Sequence, residues 1–392
     1  MNGTVRVVAL LLGLAAGSAQ AFKMGHEEEY RAVEDRTIAG RDAEGHTVYE
    51  RTQGVGSKFG DAIHEDMTLA SLKLARQRPG ELLCKVSAQD IERFARKIDA
   101  ARVGNRVCCD TTAKSIWCNG VVDRVRYTDF PDRLAPLIAG TRWPDDPCHM
   151  SVRPDTVTAW AAWMGDPGYR RYANANYSSH YHHKQFLHAM KSVGFGSNKN
   201  NAETPGVTQH KLMTWAEFAM KVANGTIPST TALTAVPPYL EPGRQKAYNL
   251  GFSGYGKASV GRLFAGTKGA PDPDHVRQIA LGALLHTVQD SFSLSHANRE
   301  HPQAARLKDR GRITGFRNYR DEIPSEHGAA DARPPNNDGT TAELSDAHPV
   351  AYGAHLIACA ASTDDRDANW LKLKPWLRDQ VFAIGPPTPQ GR

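Results

Sequence analysis

The chain has 392 residues and a formal net charge of +6 at pH 7. Its basic residues are dispersed along the chain, whereas a nucleic-acid footprint is usually concentrated on one patch. That charge is compatible with a phosphate-bearing substrate or an anionic lipid surface, and no transmembrane segment is expected because no stretch is long and apolar enough.

Residues 1–21 read as a secretory signal. Arg6 supplies the positive region, VVALLLGLAAG the apolar one, and Ala19-Gln20-Ala21 the small-residue cleavage site. Cleavage after Ala21 would leave Phe22 first in a secreted or periplasmic protein of about 370 residues, one large domain or two smaller ones. Six cysteines (Cys84, Cys108, Cys109, Cys118, Cys148 and Cys359) in an exported chain favour disulfides over reactive thiols. Their spacing shows no zinc-ribbon pattern and leaves the connectivity open, with Cys108-Cys109 and Cys118 suggesting a stapled loop.

Residues 22–60 form a polar N-terminal extension, with a hairpin expected in RTIAGRDAEGHTVYERT. A helical domain is expected over 61–384, followed by a flexible tail at 385–392. Its first helix begins at His64, where Glu65 and Asp66 suit the first turn and Met67, Leu69, Leu72 and Leu74 give an apolar face. A second covers Asp90–Ala101. DFPDRLAPLIAG offers a short helix, ending in Gly140-Thr141-Arg142-Trp143-Pro144-Asp145-Asp146-Pro147, where flanking prolines stop regular structure and hold the acids in a turn.

Further on, Ser179–Met190 holds His180, His182, His183 and His188; His180 and His188, eight apart, share a helical face. A loop is expected over 191–211 and helices over Thr214–Ala223, Gly243–Ala265, Pro273–Phe292, Val350–Ser362 and Asn369–Ile384, with Asn298–Arg310 polar and helical at most in part. Strands are scarce, so the fold class is all-α with long loops. There is no G-x-G-x-x-G opening a helix, no phosphate-binding loop and no G-x-S-x-G elbow.

The chemistry concentrates in Leu281–His296. His286 and Asp290 stand at i and i+4, on one helical face, with His296 six residues further on. Apolar residues surround that pair nearly all the way round, so the two titratable groups are buried and need pairing or a metal. A core His–Asp hydrogen bond would leave the same local pattern. His327 and Asp331 repeat the spacing, with Gly328, Ala329 and Ala330 between them. The candidate ligands are thus His64, Asp145 or Asp146, His180 or His188, His286, Asp290, His296, His327 and Asp331. This set contains no cysteine, suits zinc or another borderline cation, and exceeds what one tetrahedral site uses. Multinuclear clusters with bridging carboxylates serve phosphate-ester hydrolysis.

H-x-x-x-D, a histidine six residues later, and a further H-x-x-x-D/E resemble the zinc-dependent phospholipase C family, which shares its all-helical trinuclear-zinc fold with the fungal single-strand nucleases. The resemblance covers His286, Asp290, His296, His327 and Asp331. It implies two or three zinc ions, with His286 and Asp290 on the first, Asp290 bridging to a third, and His296, His327 and Asp331 on the second. Ser179-His180-Tyr181 is similar to the S-H-F segment that carries another first-zinc ligand, with His188 as its rival. Trp143-Pro144-Asp145 resembles the nuclease branch's W-A-D, which favours Asp145 over Asp146 as the carboxylate that orients or deprotonates the attacking water. The chain departs from the family in having Leu294 where proline is frequent and Phe22 where the family starts with tryptophan. Phe22 with His26, or else His64, would complete the third site. The implied activity is phosphodiester hydrolysis, most readily on phospholipid headgroups with peripheral contact to a membrane surface. A single-strand nuclease, with Tyr172, Tyr177, Tyr181 and Trp215 as stacking platforms, and a non-catalytic metal-binding or interaction protein are the alternatives.

Overall fold

In the computed structural model, which describes residues 63–95, 136–144, 182–192, 203–236, 239–240, 247–248, 259–265, 272–304, 306–318 and 344–386, helices dominate. In chain order they are α1 (Ile63–Gln77), α2 (Ala88–Phe94), α3 (Pro136–Arg142), α4 (Pro205–Ala223), α5 (Val260–Ala265), α6 (Pro273–Asp290), α7 (Pro349–Ala361) and α8 (Arg366–Trp376). Two short antiparallel ribbons accompany them: β1 (Tyr239–Leu240) with β2 (Ala247–Tyr248), and β3 (Ala297–Arg299) with β4 (Ile313–Phe316). The mainly helical expectation holds for these residues, and none of their helices is long and apolar enough to cross a membrane.

Helix α6 is the axis of the molecule. Asp272 caps it by accepting from the Asp274 amide, and Pro273 takes the first turn, where a missing N–H costs nothing. From His275 to Asp290 every residue except Arg277 is buried. A helix apolar on all sides needs neighbours on all sides, and α1, α3, α4, α5 and α7 provide them. The closest approach is to α3, where a Cβ on Gly282 would lie 2.1 Å from the Leu137 carbonyl oxygen. Glycine is required there because backbone meets backbone.

Helices α1 and α7 also pack together, and the Cys84–Cys359 disulfide ties the segment after α1 to α7. Beside it, the Leu83 amide donates to His355 Nδ1 (3.1 Å), so Nε2 carries the ring proton and donates to the Leu344 carbonyl (3.1 Å). Cys108, Cys109, Cys118 and Cys148 lie outside the described residues, as do the signal segment, the 22–60 extension and the tail beyond 386.

Several boundaries differ from the sequence expectation. Helix α4 begins at Pro205, inside the expected loop, because Thr204 caps it and Pro205 occupies the first turn. Helix α3 runs through Gly140 and Thr141 to Arg142, the close contact with α6 holding the turn that the proline at 144 was expected to break. The expected helix around His188 is a 3-10 helix, His182–His188, followed by Ala189 at φ 51°. Among the described residues of Gly243–Ala265, Ala247–Tyr248 form β2 in place of the expected helix and Val260–Ala265 are helical, while 243–246 and 249–258 lie outside the described residues. Helix α2 starts earlier than expected, at a Ser87–Asp90 capping box, and ends at Phe94. Residues 298–310 contribute to β3 before the 3-10 turn Leu307–Arg310, and α8 gives way to a π turn at Leu377–Val381.

Candidate metal centre

Five side chains converge at the C-terminal end of α6. His286 and Asp290 come from its last turns, as the i, i+4 spacing requires. His64 comes from the first turn of α1, His188 from the end of the 3-10 helix, and His296 from the turn that enters β3. All five are fully buried. Asp290 is the centre. Its Oδ2 lies 2.9 Å from His188 Nδ1, 2.9 Å from His286 Nε2 and 3.4 Å from His296 Nδ1, while its Oδ1 lies 3.4 Å from His64 Nε2. The His64 and His286 rings stack with centroids 3.9 Å apart. Burial alone would raise the Asp290 carboxyl pKa. The charges of His296 and His286, with hydrogen bonds to His188 and His286, outweigh it and hold the group well below the usual carboxylate range.

The surroundings fix how the histidines present themselves. His286 Nδ1 donates to the Thr141 carbonyl (2.7 Å), one of the carbonyls left over at the end of α3. His296 Nδ1 donates to the His188 carbonyl (2.8 Å). The His188 turn is itself anchored to α6: Thr287 Oγ1 lies 2.8 Å from the Leu187 carbonyl and accepts from Trp215 Nε1 at 3.0 Å. Just beyond Asp290 in sequence, the Ser291 carbonyl accepts twice from the Arg299 guanidinium (3.1 and 2.8 Å), which lies 4.2 Å over the Phe292 ring. The guanidinium thereby satisfies a carbonyl at the end of α6, and burial brings its own pKa down to about 10. On the 3-10 helix, burial pushes the Lys184 ammonium down to about 7.

This arrangement fits a metal ion. Because His286 Nδ1 donates to the Thr141 carbonyl, its Nε2, 2.9 Å from the Asp290 carboxylate oxygen, is a bare acceptor whenever the ring is not the charged imidazolium. Two acceptors cannot face each other so closely unless a proton or a cation lies on that side. Asp290 Oδ2, His286 Nε2 and His188 Nδ1 form a triangle with sides of 2.9, 2.9 and 3.2 Å. Ligands of a tetrahedral zinc ion, with bonds near 2.0–2.1 Å, stand about 3.3 Å apart. Metal-binding histidines also characteristically donate their second nitrogen to a carbonyl or carboxylate, as His286 does here. Two overlapping groups can each hold an ion: His64, His286 and Asp290, and His188, Asp290 and His296.

Of the residues singled out in the sequence, the structure brings together His64, His188, His286, Asp290 and His296. Asp145, Asp146, His180, His327 and Asp331 lie outside the described residues, as do Phe22 and His26. The sequence reading missed the supporting residues Thr141, Thr287 and Arg299, and with them Gln289, which lies 2.6 Å from His64 Nδ1, and Thr68, 2.9 Å from the Gln289 amide. None belongs to a metal-ligand pattern, and their roles come from the packing of α1, α3 and β3 against α6. Comparison of the chain with family models, curated proteins and solved structures finds no match. Fold and site together define a mainly helical protein whose buried His–Asp cluster can hold metal.

Proposed function

We propose that this chain is an exported zinc-dependent phosphodiester hydrolase that acts on phospholipid headgroups. The observation that carries the reading is the position of Asp290, which turns one oxygen toward His64 and the other toward His188, His286 and His296. A carboxylate shared in this way suits two neighbouring cations, the arrangement that phosphoester hydrolysis uses. Bound zinc would supply Lewis acidity toward the phosphoryl oxygens and bring the pKa of water toward about 7. The chain's own residues do the rest. Asp290 offsets cation charge, and Thr141 and the His188 carbonyl hold the imidazoles of His286 and His296 in one tautomer. His296, with His327 and Asp331, is assigned to the second ion. Asp145, which follows directly on the described end of segment 136–144, is assigned to orient or deprotonate the attacking water. The Cys84–Cys359 disulfide is compatible with export.

A second reading draws on the complete burial of all five side chains. Structural metal sites are closed, whereas catalytic ones keep an open position, so a non-catalytic metal-binding protein is the alternative. Metal analysis of the purified mature protein, alongside hydrolysis of phosphatidylcholine vesicles and of single-stranded DNA, separates these readings. Two or three zinc ions with release of the lipid headgroup is the expected result. Turnover of DNA alone would make the chain a nuclease, zinc without turnover would favour the closed site, and a protein that takes up no metal would sink the scheme.

A further inference from the structure

We infer that Gln289 is a positioning residue: it fixes the tautomer of His64 and so prepares one side of the Asp290 cluster for a cation. The inference rests on the metal-site reading given above and adds to it a residue that is not a ligand.

The assignment follows from counting protons along one chain of hydrogen bonds. Thr141 Oγ1 donates to the Leu137 carbonyl within α3 (3.1 Å), which uses its only proton. With that proton on the Leu137 carbonyl, we assign Thr68 Oγ1, 3.0 Å from Thr141 Oγ1, as the donor of the pair. Having donated, Thr68 can only accept from Gln289, whose Nε2 lies 2.9 Å away. The amide orientation of Gln289 is thus determined, and its Oε1 faces His64 Nδ1 at 2.6 Å. An amide oxygen only accepts, so His64 carries its proton on Nδ1. In the neutral ring this leaves Nε2 with its lone pair, on the side where Asp290 Oδ1 lies 3.4 Å away.

The reason for such a chain is geometric. Stacking on His286 holds the plane of the His64 ring, and the contact of Nδ1 with Gln289 Oε1 turns the Nε2 edge toward Asp290, where the tautomer decides whether a lone pair or an N–H is presented. An N–H would hydrogen-bond the carboxylate and exclude a cation. For His286 a backbone carbonyl on Nδ1 settles the same question, whereas at His64 Nδ1 the Gln289 side chain takes that place. Gln289, Thr68 and Thr141 are buried, and they join α6, α1 and α3 at the level of the cluster.

The test compares the whole mature protein with Gln289→Met, which keeps the volume but removes the acceptor, and Gln289→Glu, which restores one. Long-range nitrogen–proton NMR on the metal-free protein reads the His64 tautomer directly. The expected result is a proton on Nδ1 in the wild type and in Gln289→Glu, and a substantial Nε2–H population in Gln289→Met. Zinc titration against a competing chelator should then show one ion bound about 10–100-fold more weakly in Gln289→Met, with affinity recovered in Gln289→Glu. Should Gln289→Met fail to fold, Thr68→Val reads the same point, because it frees the amide to turn over and should give mixed His64 tautomers. A Gln289→Met or Thr68→Val protein that keeps the Nδ1 proton and full zinc affinity would overturn the inference. A wild type that takes up no zinc while the tautomer still follows residue 289 would instead overturn the metal reading and leave the positioning role standing.

Discussion

Gly282→Ala joins the stability of the fold to the geometry of the site. The added Cβ would lie 2.1 Å from the Leu137 oxygen, 2.5 Å from the Thr141 nitrogen and 2.7 Å from the Gly140 carbonyl carbon. Ordinary contact begins at 3.4 Å, and none of these backbone atoms can rotate away. Helices α3 and α6 must therefore separate by about 1 Å, a strain at the upper end of the roughly 1–3 kcal/mol seen for overpacked cores. Alanine's better helix propensity returns about 1 kcal/mol, which leaves a net loss of about 2 kcal/mol. For a chain of this size that lowers Tm by a few degrees. The same displacement stretches the 2.7 Å bond from His286 Nδ1 to the Thr141 carbonyl, so zinc affinity should fall about 10–100-fold. Gly80→Ala is the control, since a Cβ there meets nothing within 4 Å. Differential scanning calorimetry and chelator-competition titration measure both effects. A Gly282→Ala protein with wild-type Tm and wild-type zinc affinity would refute the reasoning.

Asp290→Asn removes the charge that both sides of the cluster share. It should lower zinc stoichiometry in metal analysis, and phosphodiester turnover should drop by more than the roughly 10–100-fold typical of residues that only hydrogen-bond to ligands. His355 gives a pH signature. Burial places its folded pKa below the ordinary 6.5, against the opposing effect of its bond to the Leu344 carbonyl. Protonation therefore favours the unfolded chain, so its contribution is complete above pH 6.5 and is lost as pH falls through the folded value. Tm measured across that window should fall less steeply in His355→Gln than in the wild type. The double substitution Cys84→Ala with Cys359→Ala opens a link between residues 275 apart and should cost about 2–5 kcal/mol of stability, read by denaturant unfolding.

Much of this site was legible before any coordinates. Helical periodicity located α1, α6 and α7, and the His286–Asp290 spacing places both side chains on one face because α-helical geometry is local. The apolar surroundings of that pair predicted its burial. The adjacent Thr204-Pro205 also marked the true start of α4, yet the polar residues around it read as a loop. Around His188 the helical expectation failed for a physical reason. The segment is a tight 3-10 helix whose end is fixed by contact of Thr287 with the Leu187 carbonyl, and no local pattern encodes that contact.

From the sequence alone came a mainly helical chain, a buried histidine and aspartate one turn apart, and a short roster of candidate partners. Tertiary structure decided which described partners arrive. His64 meets Gln289 across 225 residues of sequence, and His188 meets Asp290 across 102. It also decided the protons, through a carbonyl at the end of α3 and an amide on α6. Spacing along one helix follows from bond geometry, whereas the meeting of separate segments depends on how every apolar face between them packs.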